Sequence, residues 1–349
     1  MFAKFTNSLY FSTGTMKAGK SFAFALASSL GALLLLTSPA SAQSFTFSTG
    51  NPDGRMATAS RPGPGPGSGA NQETESADDF VLTSQTAITS ATFTGLVPIG
   101  VSLSSVTQVR VEIYRMFPKD SDVGRTSGPP TFSTAKVPTR VNSPSDVEFF
   151  DRDSADGNLT FTTTVLAASF TASNSVDTGI HAKPNQATLG DGARTGQEVR
   201  FNVTFTEPFE LPADHYFFVP QVLLANPNHH FLWLSAPRPI VAPGTPFPAG
   251  FTDLQEWIRN ADLDPDWLRV GTDIVDGVTP PTFNATFSLA GIELPLCSGP
   301  APGVPWRNHG EYVSTVAHLV ASFLEAGAIT DEQADAIVGF AAESACGKK

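Results

Sequence analysis

Residues 214–240, DHYFFVPQVLLANPNHHFLWLSAPRPI, contain two apolar runs joined by a short polar segment. The runs are Tyr216–Leu224 and Phe231–Ser235, and neither alternates regularly between apolar and polar residues. A strand that is apolar on both faces needs cover on both faces, so both runs are predicted to be central strands of a sandwich core. Asn226, Pro227 and Asn228 favour a tight turn between them. The stretch is therefore predicted to form a β-hairpin at the centre of the fold.

Short segments with period-two patterning recur on both sides of this stretch. The further predicted strands are Asp79–Thr83, Ile88–Thr94, Val106–Phe117, Val147–Phe150, Leu159–Thr164, Val165–Phe170, Glu198–Thr206 and Thr282–Leu289. The 27 Phe residues and the many Thr and Val residues also favour β structure. These patterns predict an antiparallel, jelly-roll-like β-sandwich over residues 43–297, with a short C-terminal α-helical hairpin after it.

Two segments interrupt the series of strands. Residues 55–76 include the low-complexity run RPGPGPGSGA, which has little capacity to pack and predicts a mobile surface loop. Residues 244–277 form a long insertion that is rich in acids and Trp. Within it, the spacing of Leu254, Trp257 and Ile258 predicts a short helix over residues 251–260.

Residues 1–42 have the pattern of a signal peptide. Lys17 and Lys20 precede the apolar run Ser21–Leu36, and Ala-Ser-Ala at 40–42 predicts cleavage after Ala42. A signal of ordinary length would begin at Met16, which we expect to be the true start. The mature protein is expected to be secreted, either to the periplasm or to the extracellular space.

The mature chain is strongly acidic. The net charge of −12 becomes −15 when residues 1–42, which contain three lysines and no acids, are removed. This charge argues against nucleic acid and anionic membranes as partners. No later segment is long and apolar enough to predict a membrane span. An extracellular glycan or another protein is the expected kind of partner.

Residues 298–349 are predicted to be a linker followed by a helical hairpin. Apolar residues lie on one face of Glu311–Glu325, Gly327 stands where a left-handed cap belongs, and Thr330 and Gln333 form a capping-box pair. Two such helices have too small a core to be stable alone, so the hairpin is expected to dock on the sandwich or on a partner. Cys297 and Cys346 are the two cysteines of an exported chain and are predicted to form a disulfide.

Two sequence motifs resemble segments of known protein families. ADDFVL at 77–82, followed by ITSATFTGL, is similar to the strand that opens β-sandwich domains in exported bacterial proteins. NHGEYVS at 308–314, with the helices that follow, resembles a C-terminal module of uncharacterised bacterial secreted proteins. The resemblance implies a secreted bacterial β-sandwich protein, but no activity and no catalytic residue.

The acidic part of the insertion offers a candidate calcium site. Asp262, Asp264, Asp266 and Asp273 supply the oxygen ligands that hard cations need. An EF-hand is excluded, because Trp267 occupies the position that such a loop requires to be Gly. The alternative is a solvated acidic turn without an ion.

Aromatic and acidic residues of the insertion offer a candidate sugar site. Trp257 and Trp267 can form a platform on which sugars stack, with Glu256 bonding the hydroxyls, and the alternative is that both indoles belong to the core. No familiar catalytic motif is present. We therefore expect a secreted binding or surface protein, and the candidate ligands are a carbohydrate and calcium. The alternatives are an extracellular glycosidase-like hydrolase with paired carboxylates within 256–276, and an interaction protein that uses its helical tail.

Overall fold

The computed structural model describes residues 43–63, 72–121, 137, 140–180, 187–275 and 281–348, so the predicted signal peptide lies outside the described residues. The described chain forms fourteen strands and two α-helices. The strands are β1 Ser44–Ser48, β2 Ala57–Ala59, β3 Thr74–Leu82, β4 Thr86–Val97, β5 Val106–Arg115, β6 Phe150–Asp153, β7 Leu159–Ala172, β8 Arg194–Leu211, β9 Asp214–Leu224, β10 Leu232–Ala236, β11 Trp257–Asn260, β12 Leu268–Arg269, β13 Asn284–Ala285 and β14 Phe287–Glu293. The helices are α1 His309–Glu325 and α2 Asp331–Glu343.

The strands form two sheets, and every pairing between these strands is antiparallel. In sheet 1, β4 pairs on one side with β8, which pairs with β7, and on the other side with β14 and β10. β1 pairs with β14, while β2 and β13 pair with β10. Sheet 2 has the order β12-β11-β3-β9-β5-β6. The prediction of an antiparallel β-sandwich with a C-terminal helical pair is confirmed.

The stretch at 214–240 has a different role from the predicted one. Its two runs are indeed buried strands, but β9 pairs with β3 and β5 in sheet 2, whereas β10 belongs to sheet 1. The hairpin prediction is wrong, because the turn residues specify a local reversal and not which strands will pair. The segment between the strands instead carries the chain from one sheet to the other.

Phenylalanine rings fill the space between the sheets. Phe218 of β9 stacks on Phe287 of β14 with ring centroids 5.0 Å apart, so this contact joins the two sheets directly. Phe93 and Phe201, on neighbouring strands of sheet 1, stack at 4.9 Å. Burial of these large rings stabilises the sandwich, because each ring removes a large apolar surface from water.

Several predicted elements differ from the observed ones. The predicted loop at 55–76 is wrong at both ends, where β2 and the start of β3 are buried strands, and its middle, 64–71, lies outside the described residues. The predicted helix at 251–260 is absent; β11 pairs with β3 instead, because Trp257 and Ile258 pack on opposite faces of sheet 2. The two strands predicted within 159–170 are one strand, β7.

The helical hairpin docks on the outer face of sheet 1. Tyr312 and Val316 of α1 and Ile337 of α2 pack in one cluster with Ala87 of β4 and Ile292 of β14. The capping box and the disulfide between Cys297 and Cys346 are both present. Among the described residues, no helix is long and apolar enough to cross a membrane.

Candidate functional site

A cleft lies where the insertion leaves and re-enters the sandwich. This insertion cleft has a volume of about 330 Å³, and its lining includes Asn142, Arg238, Asp253, Gln255, Trp257 and Arg269. Two guanidinium groups, two amides, one carboxylate and an indole therefore border one small space. The volume is at the lower end of the range of ~300–1,000 Å³ that is common for ligand pockets.

Several side chains of the cleft have unsatisfied polar atoms. Arg238 Nε lies 3.8 Å from Asp253 Oδ1, which is an ion-pair distance but too long for a hydrogen bond. Among the described residues, neither of these atoms has a hydrogen-bond partner, and Trp257 Nε1 has none either. Arg269 lies over the Trp257 ring at 5.9 Å and binds Asp273 through Nε and Nη2, at 2.9 and 2.8 Å.

A group of acidic side chains lies behind the cleft, and we call it the acid cluster. Its members are Asp53, Asp78, Asp253 and Glu256, together with the amide of Asn284. Asp253 belongs both to the cluster and to the cleft lining, and its Oδ2 accepts a hydrogen bond from Asn284 Nδ2 at 3.1 Å. The cluster and the cleft are thus neighbouring parts of one polar region.

Strand alternation turns Asp78 toward the interior of the sandwich. On β3, Phe80 and Leu82 pack in the core between the sheets, whereas Ala77 packs on the outer face of sheet 2. Asp78 shares the inner face with Phe80, because residues two apart on a strand point the same way. It is 0 % exposed, and its Oδ2 accepts a hydrogen bond from the backbone N–H of Ala285 at 2.8 Å.

Glu256 reaches the same interior from the insertion. It immediately precedes β11, is 1 % exposed, and its Oε1 accepts a hydrogen bond from Thr58 Oγ1 at 2.5 Å. Asp53 Oδ1 accepts a hydrogen bond from Ser235 Oγ at 2.5 Å. Strands of both sheets therefore bring carboxylates and hydroxyls together inside the sandwich.

The acid cluster contains five buried oxygen atoms that accept no hydrogen bond from the described residues. They are Asp53 Oδ2, Asp78 Oδ1, Asp253 Oδ1, Glu256 Oε2 and Asn284 Oδ1. Buried polar atoms are rarely left unsatisfied in folded proteins, because their desolvation costs about 1–3 kcal/mol each. The arrangement can accept protons, water or a cation.

Burial and repulsion by neighbouring acids raise the pKa values of Asp78 and Glu256. Burial raises the pKa of Asp78 well above its usual value, and the neighbouring Asp79, Asp253 and Glu256 raise it further. Burial raises the pKa of Glu256 to about 8, against the opposing effect of the hydrogen bond from Thr58. Burial therefore favours the protonated form of both groups, and Glu256, with a pKa of about 8, holds its proton at neutral pH.

Asp79, the neighbour of Asp78, faces the other side of β3. Its Oδ2 lies 2.6 Å from His215 Nε2, and its carboxylate accepts a hydrogen bond from the Leu254 N–H. Burial raises the pKa of Asp79 to about 6, although the hydrogen bond with His215 lowers it. This pair fastens the start of the insertion to sheet 2.

The structure brings Trp257 and Trp267 into one buried cluster on the outer face of sheet 2. Trp257 is 1 % exposed at the edge of the cleft, and Trp267 is fully buried, with its Nε1 donating to the Ser145 carbonyl. Glu256 points to the interior. Both indoles therefore belong to the core, and they do not form an exposed platform.

The four acids of the predicted calcium site have separate environments. Asp266 is buried beside Arg140, at 3.1 Å, and Asp273 is bound by Arg269. Asp264 lies 3.2 Å from Arg259, and Asp262 accepts a hydrogen bond from Gln72. In the part of the chain that the structure describes, no three His, Cys, Asp or Glu side chains have a geometry that can hold a metal.

Asp53, Asp78 and Asn284 were not predicted as site residues. Asp78 belongs to the ADDF motif, and its burial could have been predicted from the sequence. It lies two residues before the core residue Phe80 and therefore on the same, inward face of the strand. Asp53 and Asn284 had no comparable signal, because they join the cluster only through long-range pairing.

A scan against protein-family models found no match for this chain, and searches of curated proteins and of solved structures found none either.

Proposed function

We propose that this is an exported binding protein that takes a hydroxyl-rich ligand of the carbohydrate class in the insertion cleft. The observation that carries the proposal is the set of donors and acceptors around one small cleft: the guanidinium groups of Arg238 and Arg269, the amides of Asn142 and Gln255, and the carboxylate of Asp253. A sugar hydroxyl both donates and accepts hydrogen bonds, so it can pair with a donor and an acceptor of this lining together.

The rest of the lining supports the same class of ligand. Asn142 and Gln255 add amides that pair with hydroxyls, and the exposed side chain of Val141 adds an apolar surface. Arg269 adds a second cation, which favours a sugar that carries a carboxylate. The small volume suits a short ligand or one end of a longer chain.

Binding is better supported than hydrolysis. Glycosidases use two carboxyl groups that flank the bond to be broken, about 5–9.5 Å apart. Among the described lining residues the cleft has one carboxylate, Asp253. The candidate partner Glu256 is buried against Thr58 and faces the interior.

A glycan array, followed by calorimetric titration of the best ligand, tests this proposal. Arg238→Gln and Gln255→Ala should each weaken binding at least about tenfold, which corresponds to about 1.4 kcal/mol. Arg307→Gln is the matched control, because Arg307 is an exposed arginine with 80 % of its side chain accessible, beside the helical tail. Binding unaffected by both cleft variants, or no glycan bound at millimolar concentration, would refute the proposal.

A further inference from the structure

We propose that a second cleft of this protein binds a small organic carboxylate with an apolar body, of the kind represented by short alkanoates and aromatic acids. The cleft has a volume of about 270 Å³, and its lining includes Leu96, Ile99, Arg194, His229 and His230. We call it the strand-end cleft. It shares no lining residue with the insertion cleft, and the inference does not depend on the function proposed for that cleft.

The strand-end cleft lies at one end of sheet 1, where three neighbouring strands begin or end. β8 begins at Arg194, β4 ends at Val97, and β10 begins at Leu232. β4 pairs with both of the other strands, and Leu96 lies opposite Leu232. The polar segment that precedes β10 therefore reaches the same space as the loop that follows β4.

Part of the lining is apolar. Leu96, Pro98, Ile99 and Leu232 all border the cleft. The two leucines are buried, but Ile99 is 60 % exposed, which leaves a large apolar side chain in contact with water at the mouth of a cleft. A ligand with an apolar body would cover this surface, and removal of apolar surface from water favours binding.

The rest of the lining offers hydrogen-bond donors. Arg194 contacts Asp177 through Nη2, at 3.1 Å, and its side chain makes no other hydrogen bond within the described residues. Because a guanidinium group has five N–H donors, most of those of Arg194 are available to a ligand. The His229 ring has one long contact, from Nε2 to the Asn226 amide at 3.4 Å, and its Nδ1 has no partner among the described residues.

The charges around the cleft leave one guanidinium group for an anion. Asp177 is the one carboxylate among the described lining residues, and it lies 2.6 Å from His230 Nδ1, 3.1 Å from Arg194 and 3.7 Å from Arg61. Two guanidinium groups therefore share one carboxylate. The nearby Asp191 does not line the cleft, and three backbone N–H groups donate hydrogen bonds to it.

These features together select the class of ligand. A carboxylate accepts charge-assisted hydrogen bonds from Arg194, while an apolar body covers Ile99. A neutral apolar compound would leave the guanidinium group without a partner, and an inorganic anion would leave the apolar surface in water. The small volume limits the body to a short chain or a single ring.

Fluorine NMR with fluorobenzoate as the probe tests the proposal. At millimolar concentration the unmodified protein should shift and broaden the fluorobenzoate signal, and hexanoate should displace the probe. Fluorobenzamide has nearly the same shape but no charge, and it should bind at least about tenfold more weakly. Alkanoates from acetate to hexanoate should compete more strongly with length, by up to about fourfold for each CH₂ that the cleft buries. No binding of fluorobenzoate, or equal binding of the amide, would overturn the proposal.

Substitutions locate the site. Arg194→Gln should weaken fluorobenzoate binding at least about tenfold, and Ile99→Asp, which places a carboxylate on an exposed loop, should do the same. Arg200→Gln is the matched control, because Arg200 is an exposed arginine of the same strand that does not line the cleft. Binding that persists in both cleft variants, or that is lost equally in Arg200→Gln or Arg238→Gln, would also overturn the proposal. Glycan binding in the insertion cleft should be unchanged in Arg194→Gln, so the two proposals can fail separately.

Discussion

Replacement of Glu256 by Gln should change how the stability of the protein depends on pH. The folded protein raises the pKa of Glu256 from 4.5 to about 8 because the group is buried. Between these values the folded state holds a proton that the unfolded state has lost. The free energy of unfolding must therefore fall as pH rises across this window, since stability rises with pH only where the unfolded state binds more protons.

The expected change in the free energy of unfolding follows from the shift in the pKa of Glu256. Each pKa unit is worth about 1.36 kcal/mol, so between pH 5 and pH 8 Glu256 alone should lower the free energy of unfolding by about 3 to 4 kcal/mol. A glutamine does not ionise, so the variant should lack this contribution. Contributions from acids that do not interact with Glu256 are common to both proteins and cancel in the difference between them. Asp78 is not among these acids, because Glu256 helps to raise its pKa.

Urea unfolding at pH 5, 6, 7 and 8, in EDTA to exclude divalent cations, measures the effect. The free energy of unfolding of the unmodified protein should fall with pH more steeply than that of Glu256→Gln. Glu325→Gln, at an exposed position at the end of α1, is the control and should follow the unmodified protein. Identical pH dependence in the unmodified protein and Glu256→Gln would show that the carboxyl group does not keep its proton in the folded state.

Two further substitutions test the packing. Arg140→Met should lower the free energy of unfolding by about 3–5 kcal/mol. The substitution removes a fully buried cation that contacts Asp146 at 2.6 Å and Asp266 at 3.1 Å. An unchanged midpoint of urea unfolding would contradict this prediction. Gln333→Ala should cost about 3 kcal/mol in the same assay, because its side chain donates to two carbonyls of sheet 1 and caps α2. Thr330→Ala, which removes only a cap, should cost about 1 kcal/mol, and equal losses in the two variants would refute the docking role of Gln333.

Local patterns predicted the elements of this fold better than they predicted its pairing. Period-two alternation located β4, β5 and β8, and capping signals located α2, because both are set by neighbouring residues. The hairpin at 214–240 was predicted wrongly, because the choice of partner strand depends on residues more than a hundred positions away. Phe217, for example, pairs with both Asp79 and Tyr114.

The residues of the candidate site were predicted less well than the strands, for the same reason. Glu256 was singled out in the sequence as a ligand-binding acid, but helical spacing suggested the wrong local structure around it. Its inward direction follows from the pairing of β11 with β3, which sequence periodicity does not encode. Asp78 was predictable as a strand residue, yet its contact with Ala285 spans 207 positions of the chain.

The pairing of β1 with β14 has a consequence for the order in which the protein acquires its structure. Ser44 pairs with Ile292, so the first strand made has no neighbour until nearly the whole sandwich sequence has been synthesised. β9 is connected at both ends to strands of the other sheet, β8 before it and β10 after it, so neither sheet is a continuous piece of chain. Long-range pairing of this kind slows folding and leaves strand edges open while the chain is incomplete. A nascent chain that ends before Phe287 should therefore expose the edge of β1. Chaperones that bind unpaired strands should bind the chain at this edge.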